Sequence, residues 1–272
     1  MKIRRILSVF LLTVLMVSLM LTPQAYALPA LEIKAKAAVL VDADEGRIIF
    51  GQNEQEREYP ASITKVMTAL LTLEAVDAGK LSLDQPITAS AVVNDQDPEG
   101  SSAGIEEGEV LTVEQLLYCM MLVSANEAAC ILAETVAGSQ DAFVALMNQR
   151  AQELGCTGTN FTCAHGLFDY GNVSTAQDLA KIAAACAANQ TFAQVAGTAS
   201  YVLPATNLRK AERTISSSNS LMNSESANYR EYVRWVKGGF TTLAGRCIVA
   251  FAEKDGHTYG LVILGCDTPD HL

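Results

Sequence analysis

Strand-like runs at both ends of the chain, with helix-patterned runs between them, predict an α+β fold: one antiparallel sheet built from both chain ends, with a helical lobe inserted. Two hairpin signals frame the sheet, at residues 43–46 near the start and 254–257 near the end. Half of the 272 residues are apolar and Pro and Gly are not in excess, so the chain is globular and can bury a large core.

Taken in order, residues 37–42 and 47–51 are short β-rich runs around Ala43-Asp44-Glu45-Gly46, with glycine at the strained turn position. Residues 66–73 are apolar or threonine on every side, the pattern of a buried helix, and Pro60 stands just before it. Residues 81–94 are mixed, and Asp95 to Ser102 is a turn-rich surface loop expected to rim any site. Thr112-Val113-Glu114-Gln115 is a capping box opening an apolar helix to Val123. Ser124-Ala125-Asn126 interrupts the apolar pattern. Helical runs at 127–136 and 140–154 then end at Gly138 and Gly155, each fitting a C-cap. Residues 175–188 form another capped helix. From Thr198 the pattern turns to short extended runs, and residues 233–240, 246–253 and 258–265 read as strands.

Met1-Lys2-Ile3-Arg4-Arg5, an apolar run from Ile6 to Leu21 and Ala25-Tyr26-Ala27 have the basic, apolar and A-x-A parts of a secretory signal peptide. Residues 1–27 are therefore expected to be removed and residues 28–272 to work outside the cytoplasmic membrane. The alternative is an uncleaved anchor, against which the apolar run is shorter than the ~20 residues that span a bilayer comfortably. The formal charge of -11 argues against a nucleic-acid partner, and the first 27 residues contribute only bases. The seven cysteines are odd in number and lack framework spacing, so at least one thiol stays unpaired. Cys119, Cys130 and Cys186 fall in apolar helical pattern as small hydrophobes. Cys156, Cys163 and His165 lack metal-ligand spacing, so neither metal nor cofactor is expected.

The chemistry-bearing stretch is Ser62-Ile63-Thr64-Lys65. Three residues apart at a helix start, Ser62 and Lys65 lie one turn apart on one face, a nucleophile beside a base. The helix N-terminus and burial both disfavour an ammonium, so neutral lysine can take the serine proton. A lone S-x-x-K arises by chance about once in a chain this long and needs context. Ser124 and Asn126, small polar groups between two apolar helices, demand partners, although either residue type also caps a helix well.

Ser62-Ile63-Thr64-Lys65, Ser124-Ala125-Asn126 and Lys237-Gly238-Gly239 stand in the order of the S-x-x-K, S-x-N and K-T-G motifs. With their flanks, and with Gly100-Ser101-Ser102-Ala103-Gly104 and His165-Gly166-Leu167, they resemble the penicillin-binding, serine D-alanyl-D-alanine carboxypeptidase family over roughly residues 37–265. The resemblance implies a β-lactamase/transpeptidase-like fold and hydrolysis of peptidoglycan pentapeptides ending in D-Ala-D-Ala, with β-lactams as ligands. It implies Ser62 as nucleophile, Lys65 as base, Ser124 as proton relay and Asn126 bound to both lysine and substrate amide. Lys237 would meet the terminal carboxylate, with Gly238, Gly239, Phe240 and Thr241 completing the substrate strand and the backbone N–H groups of Ser62 and Phe240 forming the oxyanion hole.

Two departures from the family pattern stand out. Gly238 replaces the threonine of the third motif, removing a hydroxyl expected to bond the substrate carboxylate and weakening turnover. The chain also stops at Leu272, where the resemblance implies a closing helix, a β-rich domain and an amphipathic membrane anchor to follow. Two rival functions differ in chemistry: a peptidoglycan-binding or regulatory homologue impaired by Gly238, and a β-lactamase, whose deacylating E-x-x-L-N pattern is not present, Glu114 being the nearest and on the wrong helix.

Overall fold

The computed structural model describes residues 33–97, 100–167, 169–217 and 219–267; the expected signal peptide lies outside them. The sheet takes strands from both ends of the described chain. β1 (Ala37–Asp42) and β2 (Arg47–Gln52) come first, and β7 (Val233–Thr241), β8 (Gly245–Lys254) and β9 (His257–Cys266) come last. They pair antiparallel in the order β2-β1-β9-β8-β7, so the last strand lies beside the first. The α+β class and the sheet built from both ends are as the sequence implied. Both hairpins form, and Asp255 and Gly256 take φ of 54° and 79°, the paired left-handed turn that matches strand twist.

The inserted lobe begins with a single 3-10 turn, Ala61–Thr64, running directly into α1 (Lys65–Asp77). Ten of α1's residues are buried, as an all-round apolar sequence requires. The helix packs against α3 (Asn126–Ala137), α4 (Gln140–Glu153), α5 (Ala176–Ala187) and α6 (Gln190–Ala196). The mixed stretch 81–94 resolves into β3 (Pro86–Thr88), paired with β4 (Val110–Thr112), and a 3-10 turn at Ala91–Asp95. The capping box forms as read, opening α2 (Val113–Leu122): Thr112 Oγ1 accepts from Gln115 N at 3.2 Å, and Thr112 N donates to Gln115 Oε1 at 2.9 Å. Gly138 closes α3 at φ 82°, and Gly155 follows the end of α4.

A short helix escaped the sequence reading. α6 is capped by Asn189, whose Oδ1 accepts from Phe192 N, and is held by Phe192 packing edge-on to Trp235, which stacks on Phe251. The hairpin of β5 (Ser200–Leu203) and β6 (Arg213–Ser216) completes the lobe. One face of the main sheet turns Val39, Val249, Phe251, Val262 and Leu264 into the main core. The opposite face carries a smaller apolar cluster including Ala38, Val236, Ile248, Ala250 and Ile263. Cys119, Cys130 and Cys186 are buried as expected, and the seven cysteines form no disulfide with one another.

Candidate active site

Ser62 sits in the 3-10 turn, one residue after Ala61, whose φ of 48° is unusual for a residue carrying a Cβ. Two glycines hold the turn. A Cβ on Gly166 would lie 2.0 Å from Ala61 O, and one on Gly239 would lie 2.7 Å from Ser62 N, so backbone from two separate segments packs directly on the Ser62 turn. The loop that supplies Gly166 is fixed to α1 by Thr68 Oγ1 donating to Ala164 O at 2.6 Å, and to the 3-10 turn by Asn172 Nδ2 donating to Thr64 Oγ1 at 3.1 Å.

Lys65, the first residue of α1, is fully buried. Its Nζ lies 3.0 Å from Ser62 Oγ, 2.8 Å from Asn126 Oδ1 and 2.7 Å from His165 O. Burial first, and the charge of Lys237 second, hold its pKa well below that of an ordinary lysine. Burial and then the Lys65 charge press His165 down to about 4, so its ring is neutral near pH 7.

Ser124 and Asn126 do not cap the helix that follows them. The cap position is Ala125, with no side-chain hydrogen bond, and Ser124 takes φ of 61°. Both side chains instead meet lysines: Asn126 Oδ1 accepts from Lys65, and Ser124 Oγ accepts from Lys237 Nζ at 2.9 Å. Asn126 N donates to Ser101 O at 2.9 Å, and Glu127 Oε1 accepts from Ser102 Oγ and Ala103 N, both at 2.7 Å, which ties the 100–105 loop to the start of α3.

On the facing side, Lys237 projects inward from edge strand β7, is 3% exposed and also donates to Gly238 O at 2.8 Å. Burial lowers its pKa to about 7. The resulting cleft has a volume of about 910 Å³. Ser62, Ser124, Asn126 and Lys237 line it together with Gly238, Gly239, Phe240 and Thr241, so every site residue read from the sequence reaches one cleft except Lys65, which lies directly behind it. Thr241 Oγ1 accepts from Ala244 N at 3.1 Å, committing that hydroxyl to the β7–β8 turn. Asp97 and Ser101 form part of the rim, as the loop reading anticipated.

Sequence reasoning missed the carbonyl of His165, the third partner of Lys65; Gly166 beside it was the available signal. It also assigned nothing to Arg246, which lines the cleft with its guanidinium carbon 5.3 Å from the centre of the Phe240 ring. Among the described residues no cluster of three or more His, Cys, Asp and Glu side chains could hold a metal ion.

The Peptidase_S11 family, described as D-alanyl-D-alanine carboxypeptidase, matches residues 23–268. The chain belongs to this family. It is 32% identical over 272 residues to D-alanyl-D-alanine carboxypeptidase DacF of Bacillus subtilis, covering 98% of this chain and 67% of the relative. The Streptomyces K15 DD-transpeptidase superposes with a TM-score of 0.81 at 28% identity, covering 90% of this chain and 94% of the other. Penicillin-Binding Protein D2 from Listeria monocytogenes, in its cefotaxime-bound form, gives 0.77 at 28% identity over 90% and 94% of the two chains. These relatives place the S11 chain's mixed architecture in the transpeptidase-like class. Its third motif, Lys237-Gly238-Gly239, remains the point of departure from the family's K-T-G pattern.

Proposed function

We propose that the protein is a serine D-alanyl-D-alanine carboxypeptidase that removes the terminal D-Ala of peptidoglycan stem peptides through an acyl-enzyme on Ser62. The observation that carries this reading is the environment of Lys65 Nζ. A neutral lysine amine has two N–H groups and one lone pair. Asn126 Oδ1 and His165 O can only accept, so they take the two N–H groups, and the lone pair is left for Ser62 Oγ, the one neighbour that can donate. Burial and the second lysine favour that neutral form.

In the proposed reaction Ser62 Oγ adds to the carbonyl carbon of the penultimate D-Ala while its proton passes to Lys65 Nζ. The carbonyl oxygen becomes an oxyanion facing the N–H groups of Ser62 and Phe240, donors of a kind whose single removal costs ~10²- to 10³-fold in kcat. The C–N bond then breaks. The leaving D-Ala nitrogen takes the hydrogen of Ser124 Oγ, which Lys65 replenishes; that hydroxyl accepts from Lys237 and so still has its own hydrogen to give. Asn126 Nδ2, opposite the Oδ1 that Lys65 engages, is the group assigned to the substrate amide. Lys237 draws the terminal carboxylate. Water then attacks the ester, with Lys65 again as base, and releases the shortened peptide and Ser62.

β-Lactams would acylate the same serine and stop at the ester. This substrate places the site of action outside the cytoplasmic membrane, consistent with export directed by residues 1–27. A second reading, a peptidoglycan-binding or regulatory homologue with little turnover, draws on Gly238 alone. Labelled penicillin followed by mass spectrometry tests the proposal together with steady-state release of D-Ala from a D-Ala-D-Ala peptide. The adduct is expected on Ser62 and absent in Ser62→Ala. An adduct elsewhere, or none at saturating drug, overturns the acyl-enzyme; labelling without D-Ala release favours the second reading.

A further inference from the structure

We infer that Arg246 supplies the carboxylate-binding group that Gly238 lacks, receiving the terminal carboxylate of the peptide substrate; this deepens the carboxypeptidase reading and rests on it. The register of β7 and β8 sets Phe240 opposite Arg246 and Gly238 opposite Ile248. Side chains directly opposite share a face, as do residues two apart, so position 238 and Arg246 are diagonal neighbours on one face of the sheet. At that spacing, about 7–8 Å between Cα positions, a long side chain reaches across. Nothing blocks it at position 238: a Cβ built there would meet only Cys247 O, at 3.9 Å.

Arg246 is also the guanidinium in the cleft without a committed partner. Arg150, Arg209, Arg213 and Arg234 all form ion pairs with glutamates, whereas Arg246 forms none among the described residues and rests on the Phe240 ring. An arginine stacked on an aromatic face keeps its planar fork of N–H donors available, and that fork matches a carboxylate. Lys237, by contrast, already donates to Ser124 Oγ and Gly238 O, so at most one of its three ammonium hydrogens remains for substrate. A peptide carboxylate arriving beside Lys237 thus meets one N–H from the lysine and no hydroxyl at position 238. Arg246 lines the same cleft from the face of β7 and β8 that position 238 shares, opposite the face from which Lys237 projects, and across the edge strand supplies the two further donors that complete its recognition.

The test compares wild type, Arg246→Ala and Arg246→Lys on a D-Ala-D-Ala peptide with a free C-terminus and on the same peptide as its C-terminal amide, with thermal unfolding to establish that each variant is folded. A charge-assisted hydrogen bond is worth ~1.5–3 kcal/mol, so Arg246→Ala should lose about ten- to a hundredfold in kcat/KM on the free acid. The amide should change by less than about twofold, and Arg246→Lys should recover part of the loss. An equal loss on acid and amide, or none on either, overturns the assignment. So does a loss that follows a carboxylate elsewhere in the stem peptide, seen when that acidic residue is replaced by its amide. A wild-type protein that releases no D-Ala from the free acid instead removes the carboxypeptidase reading itself, and this assignment with it.

Discussion

Lys237→Met should make the protein inactive and more stable, by an amount set by pH. The wild-type ammonium is 3% exposed, and its pKa falls from 10.5 to about 7 because burial penalises the charged form. At 1.36 kcal/mol per pKa unit, holding that charge at pH 7 costs about 5 kcal/mol. Methionine fills a similar volume and carries no charge. It gives up the hydrogen bonds to Ser124 Oγ and Gly238 O, acceptors at a cleft wall that water can reach, for about 1 kcal/mol each. The net gain is about 3 kcal/mol. At about 2–4 °C per kcal/mol for a domain of this size, Tm should rise by roughly 6–12 °C. The sign of the pH dependence is fixed by linkage. Below pH 7 folded and unfolded lysine both hold the proton, so the penalty is constant. Between 7 and 10.5 only the unfolded state holds it, folding releases a proton, and wild-type stability climbs by about 1.4 kcal/mol per pH unit. The advantage of the variant should therefore be full below pH 7, vanish near pH 9 and reverse above it. Urea unfolding of both proteins at pH 6.5, 8 and 9.5 measures this directly. A variant no more stable than wild type at pH 6.5, or a difference that does not change with pH, would refute the reasoning.

Three further outcomes follow from the site geometry. Lys65→Arg should abolish penicillin labelling although charge is kept, because a guanidinium does not give up its proton to serve as base; labelling at near wild-type rate would remove Lys65 from that role. Gly239→Ala would place a Cβ 2.7 Å from Ser62 N and 3.1 Å from Ala61 Cβ, so the turn or β7 must shift, and a displacement approaching 1 Å should slow acylation by about a hundredfold in stopped-flow measurements; an unchanged rate would show that the close approach is not needed. Gly238→Thr has room for its side chain and should raise kcat/KM on the free-acid peptide by about tenfold, with the larger gain in an Arg246→Ala background if both groups serve one carboxylate; no gain in either background would mean that the strand works as well with glycine.

What was legible in the sequence was local. Thr112 and Gln115 are a capping box within four residues, Asp255-Gly256 is a two-residue turn, and Gly138 ends a helix by its own backbone freedom; each forms as read. Ser62 and Lys65 were close because any helical turn brings residues three apart together. The roles of Ser124 and Asn126 were ambiguous for the same reason: local pattern favours capping, and only the arrival of Lys65 and Lys237 from 61 and 113 residues away decides otherwise. His165 was invisible as a partner because it acts through its carbonyl, a group every residue has. The left-handed φ of Ala61 has no local sign either, since alanine does not prefer it; the conformation follows from Gly166 and Gly239 packing on the turn from elements about 100 and 180 residues away. α6 was missed because seven residues carry too few turns for a clear period, and its stability comes from Phe192 against Trp235.

The two buried lysines are best understood together. An acidic chain, at -11 overall, buries two amines beside one cleft, and the charged form of each is destabilised there. Like charges that share a site are driven to different protonation states, so one amine gives up its proton more readily because the other keeps its own. Lys65, the deeper of the two, carries both penalties, with Lys237 as the second cause after burial, whereas burial alone accounts for the shift at Lys237. The asymmetry fits the proposed tasks, with the deeper amine as base and the one at the cleft wall left to meet a carboxylate. A substrate carboxylate beside Lys237 would raise its pKa again and partly offset its field at Lys65. In the proposed arrangement the Arg246 guanidinium would share that carboxylate with Lys237. If the carboxylate is shared in this way, its recognition does not depend on the protonation state of Lys237 alone, and Lys237 can soften its field at Lys65 without the substrate being lost.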